Sequence, residues 1–185
     1  MMAVGTLAVL YVLFAAASKP VEAPSTYARF ATGPMRALTV MDRPPPLMTR
    51  AIRDAQGQET HLQAFTGQVL VVNIWATWCA PCVEEMPTLG ALQRRFAGRI
   101  RVVPISIDDE GHHAEAQQQL NHLSQNSLPF LIDITRGILF DSAASGMPVT
   151  IIYDAQGREV ARLAGGADWS SEQAADLMEA VLAEH

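Results

Sequence analysis

An α/β fold, with a central mixed β-sheet flanked by helices, is predicted by three observations. Residues 68–75, "QVLVVNIW", are a near-continuous apolar run, the pattern of a strand covered on both faces. The next residues, "CAPCVEEMPTLGALQRRFAG", switch to a helical stripe of Val83, Met86, Leu89, Leu92 and Phe96. Residues 149–164, "VTIIYDAQGREVARLA", then read as a hairpin that leads into a last helix.

The elements between these landmarks can be taken in order. Residues 51–62, "AIRDAQGQETHL", alternate around Asp54-Ala55-Gln56-Gly57 and predict a first hairpin, with the glycine free to take positive φ. The same four letters recur at Asp154-Ala155-Gln156-Gly157, but nothing around them recurs, so they are turns and not repeats. Pro87 lies inside the helix after the first long strand and removes the hydrogen bond to the carbonyl of Val83. "IRVVPISID" is the next strand, and Pro104 in it predicts a place near the sheet edge. A polar surface helix follows over 112–125, then "LPFLID" and a short helix in "GILFDSAAS". Ser170 and Gln173 have capping-box spacing ahead of the last helix, whose apolar face is Ala174, Leu177, Met178, Val181 and Leu182. Hairpin, strand, helix, strand, helix, strand, strand, helix is the order of a thioredoxin-like fold with an N-terminal β-hairpin and a central insert.

Composition narrows the function. The chain has 185 residues, 49% of them hydrophobic, enough for an ordinary core without staples. With 13 basic and 19 acidic residues the net charge is −6 and no basic run occurs, which argues against nucleic-acid binding. Two cysteines cannot build a four-thiolate zinc site. Residues 3–17, "AVGTLAVLYVLFAAA", are fifteen without a charge, short for a full span and typical of a signal-peptide core. No Lys or Arg precedes them, which a signal peptide would require unless a basic segment lies upstream, and residues 1–19 are expected to be a signal peptide or a retained membrane anchor. Residues 20–47, with "KPVEAPS" and "DRPPPL", are expected to be a linker, and 48–185 the folded domain.

Both cysteines lie in "WCAPC". Cys79 falls where strand becomes helix, so its sulfur meets unpaired N–H groups and the positive end of the helix dipole. Both favour the thiolate, the attacking species. Pro81 suits the first helical turn, where its missing N–H has no partner. Cys82, one turn on, is sheltered on the same side. A structural disulfide normally closes a longer loop, because a four-residue ring removes little chain entropy. A metal clip needs further ligands, and none of His61, His112, His113, His122 and His185 lies near the motif in sequence. An exchange-active dithiol is the reading this context supports.

"NIWATWCAPCVEEMP" and "GMPVTIIYDAQGREVARLAGGADW" resemble the TlpA-like branch of the thioredoxin superfamily, related to the cytochrome-maturation thioredoxins, from about Pro46 to the end. The resemblance implies Cys79 as nucleophile, Cys82 as resolving thiol, and Met147-Pro148 as the cis-proline element that binds a client's extended chain. Trp78, beside the thiol, is the implied contact surface, and Trp75 belongs to the core. No cofactor and no metal are implied. The implied activity is that of an exported, membrane-anchored thiol–disulfide oxidoreductase on the periplasmic side of the inner membrane. It would take electrons from a thiol-reducing membrane donor and reduce client disulfides in cytochrome c or cytochrome oxidase maturation.

One position departs from the wider superfamily. Thioredoxin keeps a buried acid two residues before the residue corresponding to Trp75, and here that position is Asn73. Val71, Asn73 and Trp75 share one strand face, so Asn73 is expected under the redox helix. Glu85 is i+3 from Cys82 and is a candidate for proton transfer; otherwise it is a solvated charge near a helix N-terminus. Two rival functions use other chemistry. A copper chaperone would bind Cu(I) through Cys79, Cys82 and a histidine. A peroxiredoxin-type peroxidase finds only Thr77 as matching threonine context. Ala80-Pro81 contains no histidine, unlike strongly oxidising relatives, which predicts a potential nearer about −270 mV than about −120 mV. Equilibration against glutathione measures it, and a midpoint above about −180 mV defeats the reductase assignment.

Overall fold

The computed structural model describes residues 26–41 and 43–184. Residues 3–17, expected to be a signal or anchor, lie outside the described residues, as does His185. Among the described residues no helix is long and apolar enough to cross a membrane.

One sheet runs through the domain. Its strands are β1 (Leu38–Thr39), β2 (Ile52–Asp54), β3 (Glu59–Thr60), β4 (Val69–Trp75), β5 (Ile100–Ser106), β6 (Leu131–Ile132), β7 (Val149–Tyr153) and β8 (Glu159–Ala164). Their spatial order is β1-β8-β7-β4-β5-β6-β2-β3. Every residue of β4 is buried, as its unbroken apolar run requires. It pairs parallel with β5 and antiparallel with β7, so the sheet is mixed. The helices are α1 (Ala80–Arg95), α2 (His113–Ser124), α3 (Gly137–Asp141) and α4 (Glu172–Glu184).

The two Asp-Ala-Gln-Gly turns fold alike. Asp54 Oδ1 accepts from the N–H groups of Gln56 and Gln58, and Asp154 Oδ1 from those of Gln156 and Arg158. The glycines take φ of 76° and 78°, a region that L side chains rarely occupy. The stripe is buried at Met86, Leu89 and Leu92 on α1 and at Phe96, its C-cap, while Val83 is half-buried. Pro87 is exposed and lies within α1 without ending it. Arg94 donates to the carbonyl of Ser124 and ties α1 to α2, and Arg95 pairs with Glu172 of α4.

Three expectations are corrected. β5 is an interior strand, not an edge strand. Its neighbour β6 reaches only Ile105 and Ser106, so Pro104 sits where that side carries no paired strand and its missing N–H is tolerated. The cap of α4 is Ser171, whose hydroxyl accepts from Ala174 N–H, whereas Ser170 turns to Asp168. The third concerns the linker drawn over 20–47. From Thr26 onward the chain is folded onto the domain, with two short 3₁₀ turns (Thr26–Phe30 and Gly33–Met35) followed by β1. β1 pairs Leu38 with Leu163 and Thr39 with Arg162, Met35 has no exposed surface, and Tyr27 Oη donates to Glu184 at 2.6 Å. Even Pro46 bridges to Arg158. The polar, proline-rich texture concealed three anchors (Tyr27, Met35 and Leu38) spaced too irregularly to show a period.

Met35→Ala is therefore expected to destabilise the domain by about 3 kcal/mol, as for a fully buried methionine. Chemical denaturation measures it, and a loss under about 1 kcal/mol would mean that the segment detaches at little cost.

Candidate active site

β4 delivers the site to the end of the sheet. After Trp75 the chain turns through Ala76–Cys79, with Cys79 N–H bonded to the carbonyl of Ala76. The turn is pinned by Asp108, a buried carboxylate at the end of β5. It accepts from Thr77 N–H at 3.0 Å, from Thr77 Oγ1 at 2.7 Å and from Ser106 Oγ at 2.7 Å. The turn so held presents Trp78 to solvent, 62% exposed, which is unusual for the largest side chain. Beside Trp78 opens a cleft of ≈ 680 Å³ lined by Thr77, Asp109, His112, Gln119 and Arg136, among others.

Cys79 is the N-cap of α1 and Pro81 stands in the first turn. No side chain caps the helix and no acid lies in that turn, so the field of the helix N-terminus acts on the sulfurs uncompensated. Cys79 and Cys82 are joined as a disulfide. Cys79 keeps 8% of its surface exposed and Cys82 none, which separates an accessible sulfur from a sheltered one. The register Ile74↔Val149 puts Pro148 at the same end of the sheet as the β4–α1 turn. The Met147–Pro148 bond is cis. Pro148 O accepts from Gly165 N–H at 2.8 Å, and a Cβ on Gly166 would stand 3.4 Å from the carbonyl of Pro81. The chain after β8 thus closes one wall between the proline strand and the redox helix.

Between β4 and α1 lies a buried polar group that composition does not advertise. Asn73 faces α1, as its strand phase predicts, and its Nδ2 donates to Glu85 Oε1 at 2.8 Å and to Thr150 Oγ1 at 3.0 Å. Glu85 Oε2 accepts from Ala167 N–H at 3.1 Å and from Trp169 Nε1 at 3.3 Å. Glu85 is only 3% exposed, so the solvated reading of this side chain is overturned. Burial pushes its carboxyl up to about 7, against the opposing pull of the N–H groups of Ala167, Asn73 and Trp169. Where thioredoxin keeps its buried acid on the strand, this chain buries one on the helix, three residues after Cys82. Thr150, Ala167 and Trp169 carried no signal of this beyond their places in the second stretch that resembles the family.

Among the described residues no histidine joins the cysteines in a metal-ligating group. His112 pairs with Asp109, His113 stacks on Phe130, and no group of three metal-ligating side chains exists among the described residues. Thr77, the residue the peroxidase reading would use, donates its hydroxyl to Asp108.

The family model described as AhpC/TSA matches residues 41–165. The chain belongs to this family. Among relatives, "Thioredoxin-like protein YneN" of Bacillus subtilis is 30% identical over 107 residues, 58% of this chain and 62% of that one. "Thiol-disulfide oxidoreductase ResA" of the same organism is 24% identical over 115 residues, 62% of this chain and 63% of that one. The chain thus spans less than two thirds of the length of either relative. Among solved structures, a secreted thiol-disulfide isomerase from Corynebacterium glutamicum has TM-score 0.65 at 24% identity, covering 80% of this chain and 92% of that one. A DsbF homologue from Corynebacterium diphtheriae has TM-score 0.63 at 21% identity, covering 78% and 92%. At these identities the structures show the fold: it is thioredoxin-like, as the element order predicts.

The raised carboxyl sets a pH dependence. The folded protein keeps the Glu85 proton up to about 7, whereas the unfolded chain loses it near 4.5. Between these values the native state binds more protons, so stability is full below about 4.5 and falls as the pH rises to about 7, by roughly 3 kcal/mol. Glu85→Gln is expected to abolish that slope whatever it does to absolute stability. Urea denaturation of the disulfide form at several pH values checks this; the same slope in the variant would assign the titration elsewhere.

Proposed function

We propose that this protein is an exported, membrane-anchored thiol–disulfide oxidoreductase that reduces client disulfides on the periplasmic side of the inner membrane. The observation that carries the reading is the Cys79–Cys82 pair, closed across the first turn of α1, one sulfur accessible and one sheltered, above a buried carboxyl near neutrality. The relative named thiol-disulfide oxidoreductase supports it. The cleft beside Trp78 and the edge at Met147-Pro148 supply surfaces for an extended client chain.

The chemistry runs from the dithiol. The Cys79 thiolate attacks one sulfur of the client disulfide, forming a mixed disulfide and releasing one client thiolate. Cys82 passes its proton to Glu85, three residues along the same helix face, and attacks Cys79 Sγ. The second client thiolate leaves and takes up a proton. Two electrons have moved to the client, and the protein holds the disulfide seen here. A donor of the thiol-reducing type in the membrane returns it to the dithiol. An acid near 7 suits the transfer because it can take and give a proton at the working pH.

The clients fitted to this reading are assembly factors or apo-proteins of respiratory cytochromes and oxidases, in line with the TlpA-like resemblance. The apolar stretch over residues 3–17 supports export and retention at the membrane. No observation favours the copper chaperone, since no histidine lies with the cysteines to complete a ligand set among the described residues.

Cys82→Ser is expected to stall at the mixed disulfide, so non-reducing pull-down should recover covalent client complexes. Cys79→Ser should recover none. Trapping by Cys79→Ser alone would reverse the roles of the two cysteines.

A further inference from the structure

We propose that Trp169 is a positioning residue for this site: its indole N–H, together with the backbone N–H of Ala167, holds the Glu85 carboxyl in place below the redox pair. The proposal rests on the reading of Glu85 as the proton acceptor for Cys82.

Trp169 grips α1 at two points one turn apart. Its indole N–H reaches Glu85 Oε2 at 3.3 Å, and its backbone N–H reaches Thr88 Oγ1 at 3.1 Å. Thr88 Oγ1 in turn donates to the carbonyl of Glu85 at 2.7 Å. The indole bond is not simply a condition of burying tryptophan in this core. Trp75 is buried to the same degree, and its Nε1 finds no protein partner. The chain that carries Trp169 also reaches the client side of the site, since Gly165 N–H is bonded to Pro148 O and Gly166 lies against Pro81. One short segment therefore links the proline strand, the redox turn and the buried acid.

The surroundings of Glu85 are otherwise neutral. β4 contributes Asn73, which β7 supports through Thr150, and α1 itself contributes Thr88. Asp168 in the same segment is turned to Ser170, Glu84 on α1 is exposed, and no charged side chain shifts the Glu85 carboxyl. The remaining titratable neighbour is Cys82, one turn back. With no nearby charge to dominate, the ionised carboxylate depends on its three donors, and each one removed leaves the proton harder to lose.

The test uses the full chain in its disulfide form, in which neither cysteine titrates. ¹³C-carboxyl NMR follows Glu85 across pH 5 to 9 in the wild type and in Trp169→Phe, which keeps an aromatic ring and removes the N–H. The midpoint should rise by about one pH unit. Site-specific benzothienylalanine at position 169, which keeps the bicyclic shape, should give the same rise and covers the case in which Trp169→Phe folds poorly. An unchanged midpoint in a folded variant overturns the proposal and leaves Trp169 as core. Single-turnover reduction of a disulfide peptide separates this from the reading beneath it. Its pH profile should move alkaline in Trp169→Phe, and Trp169→Phe should add no shift in a Glu85→Gln background. If Glu85→Gln alone leaves the profile of the parent unchanged, the proton-acceptor reading falls even where the NMR midpoint has moved.

Discussion

A carboxyl group held in the core between a strand and a helix, without a cationic partner, is the constraint on which the rest of this site depends. Burial disfavours its charge, and three N–H donors, one from β4 and two from the segment after β8, restore part of that loss. The balance leaves the group near neutrality instead of at either extreme. None of the donors is local to Glu85, so its acidity is a property of the assembled domain. A shift of α1 relative to β4, or of the segment after β8 relative to α1, changes it.

The sheet supplies the rigidity that such a balance needs. β4 is buried from end to end and is held on both sides, with Asn73 opposite Pro104 on β5 and Thr150 on β7. The Asn73–Thr150 pairing that fixes register also supplies one of the two bonds of the Asn73 amide. A slip of one residue would turn Asn73 away from the helix and break the contact with Glu85. The same register brings Pro148 to the end of the sheet where Cys79 lies. Strand pairing, the Asn73–Glu85 contact and the cis-proline turn therefore share one alignment.

Rigidity also extends to the exposed parts. Trp78 projects from a turn whose hydroxyl and backbone N–H are both bound to Asp108, so its exposure does not come from a loose loop. At the far side of the sheet, residues 26–39 cover β8 and reach α4 through Tyr27. The stretch whose composition suggests a tether is already packed on the domain from Thr26 onward.

The sequence by itself determined the order of the elements from β2 onward, the two Asp-Ala-Gln-Gly turns, the strand-to-helix setting of Cys79 and Cys82, and the face on which Asn73 lies. All of these are local: a strand phase of two, a helix phase of 3.6, and turn residues with particular backbone freedom. Tertiary structure alone decided that Glu85 is buried, since one acid in a helix looks the same in sequence whether water or Trp169 covers it. It also decided that Tyr27 and Met35 belong to the core, that Pro104 is tolerated inside the sheet, and that Ser171 and not Ser170 caps α4. The cap is settled within a few residues, by Asp168 and Ala174, but the other three share one reason. Each depends on which distant segment arrives to cover or pair the residue, and the partners of Glu85 lie 12 to 84 positions away in the chain.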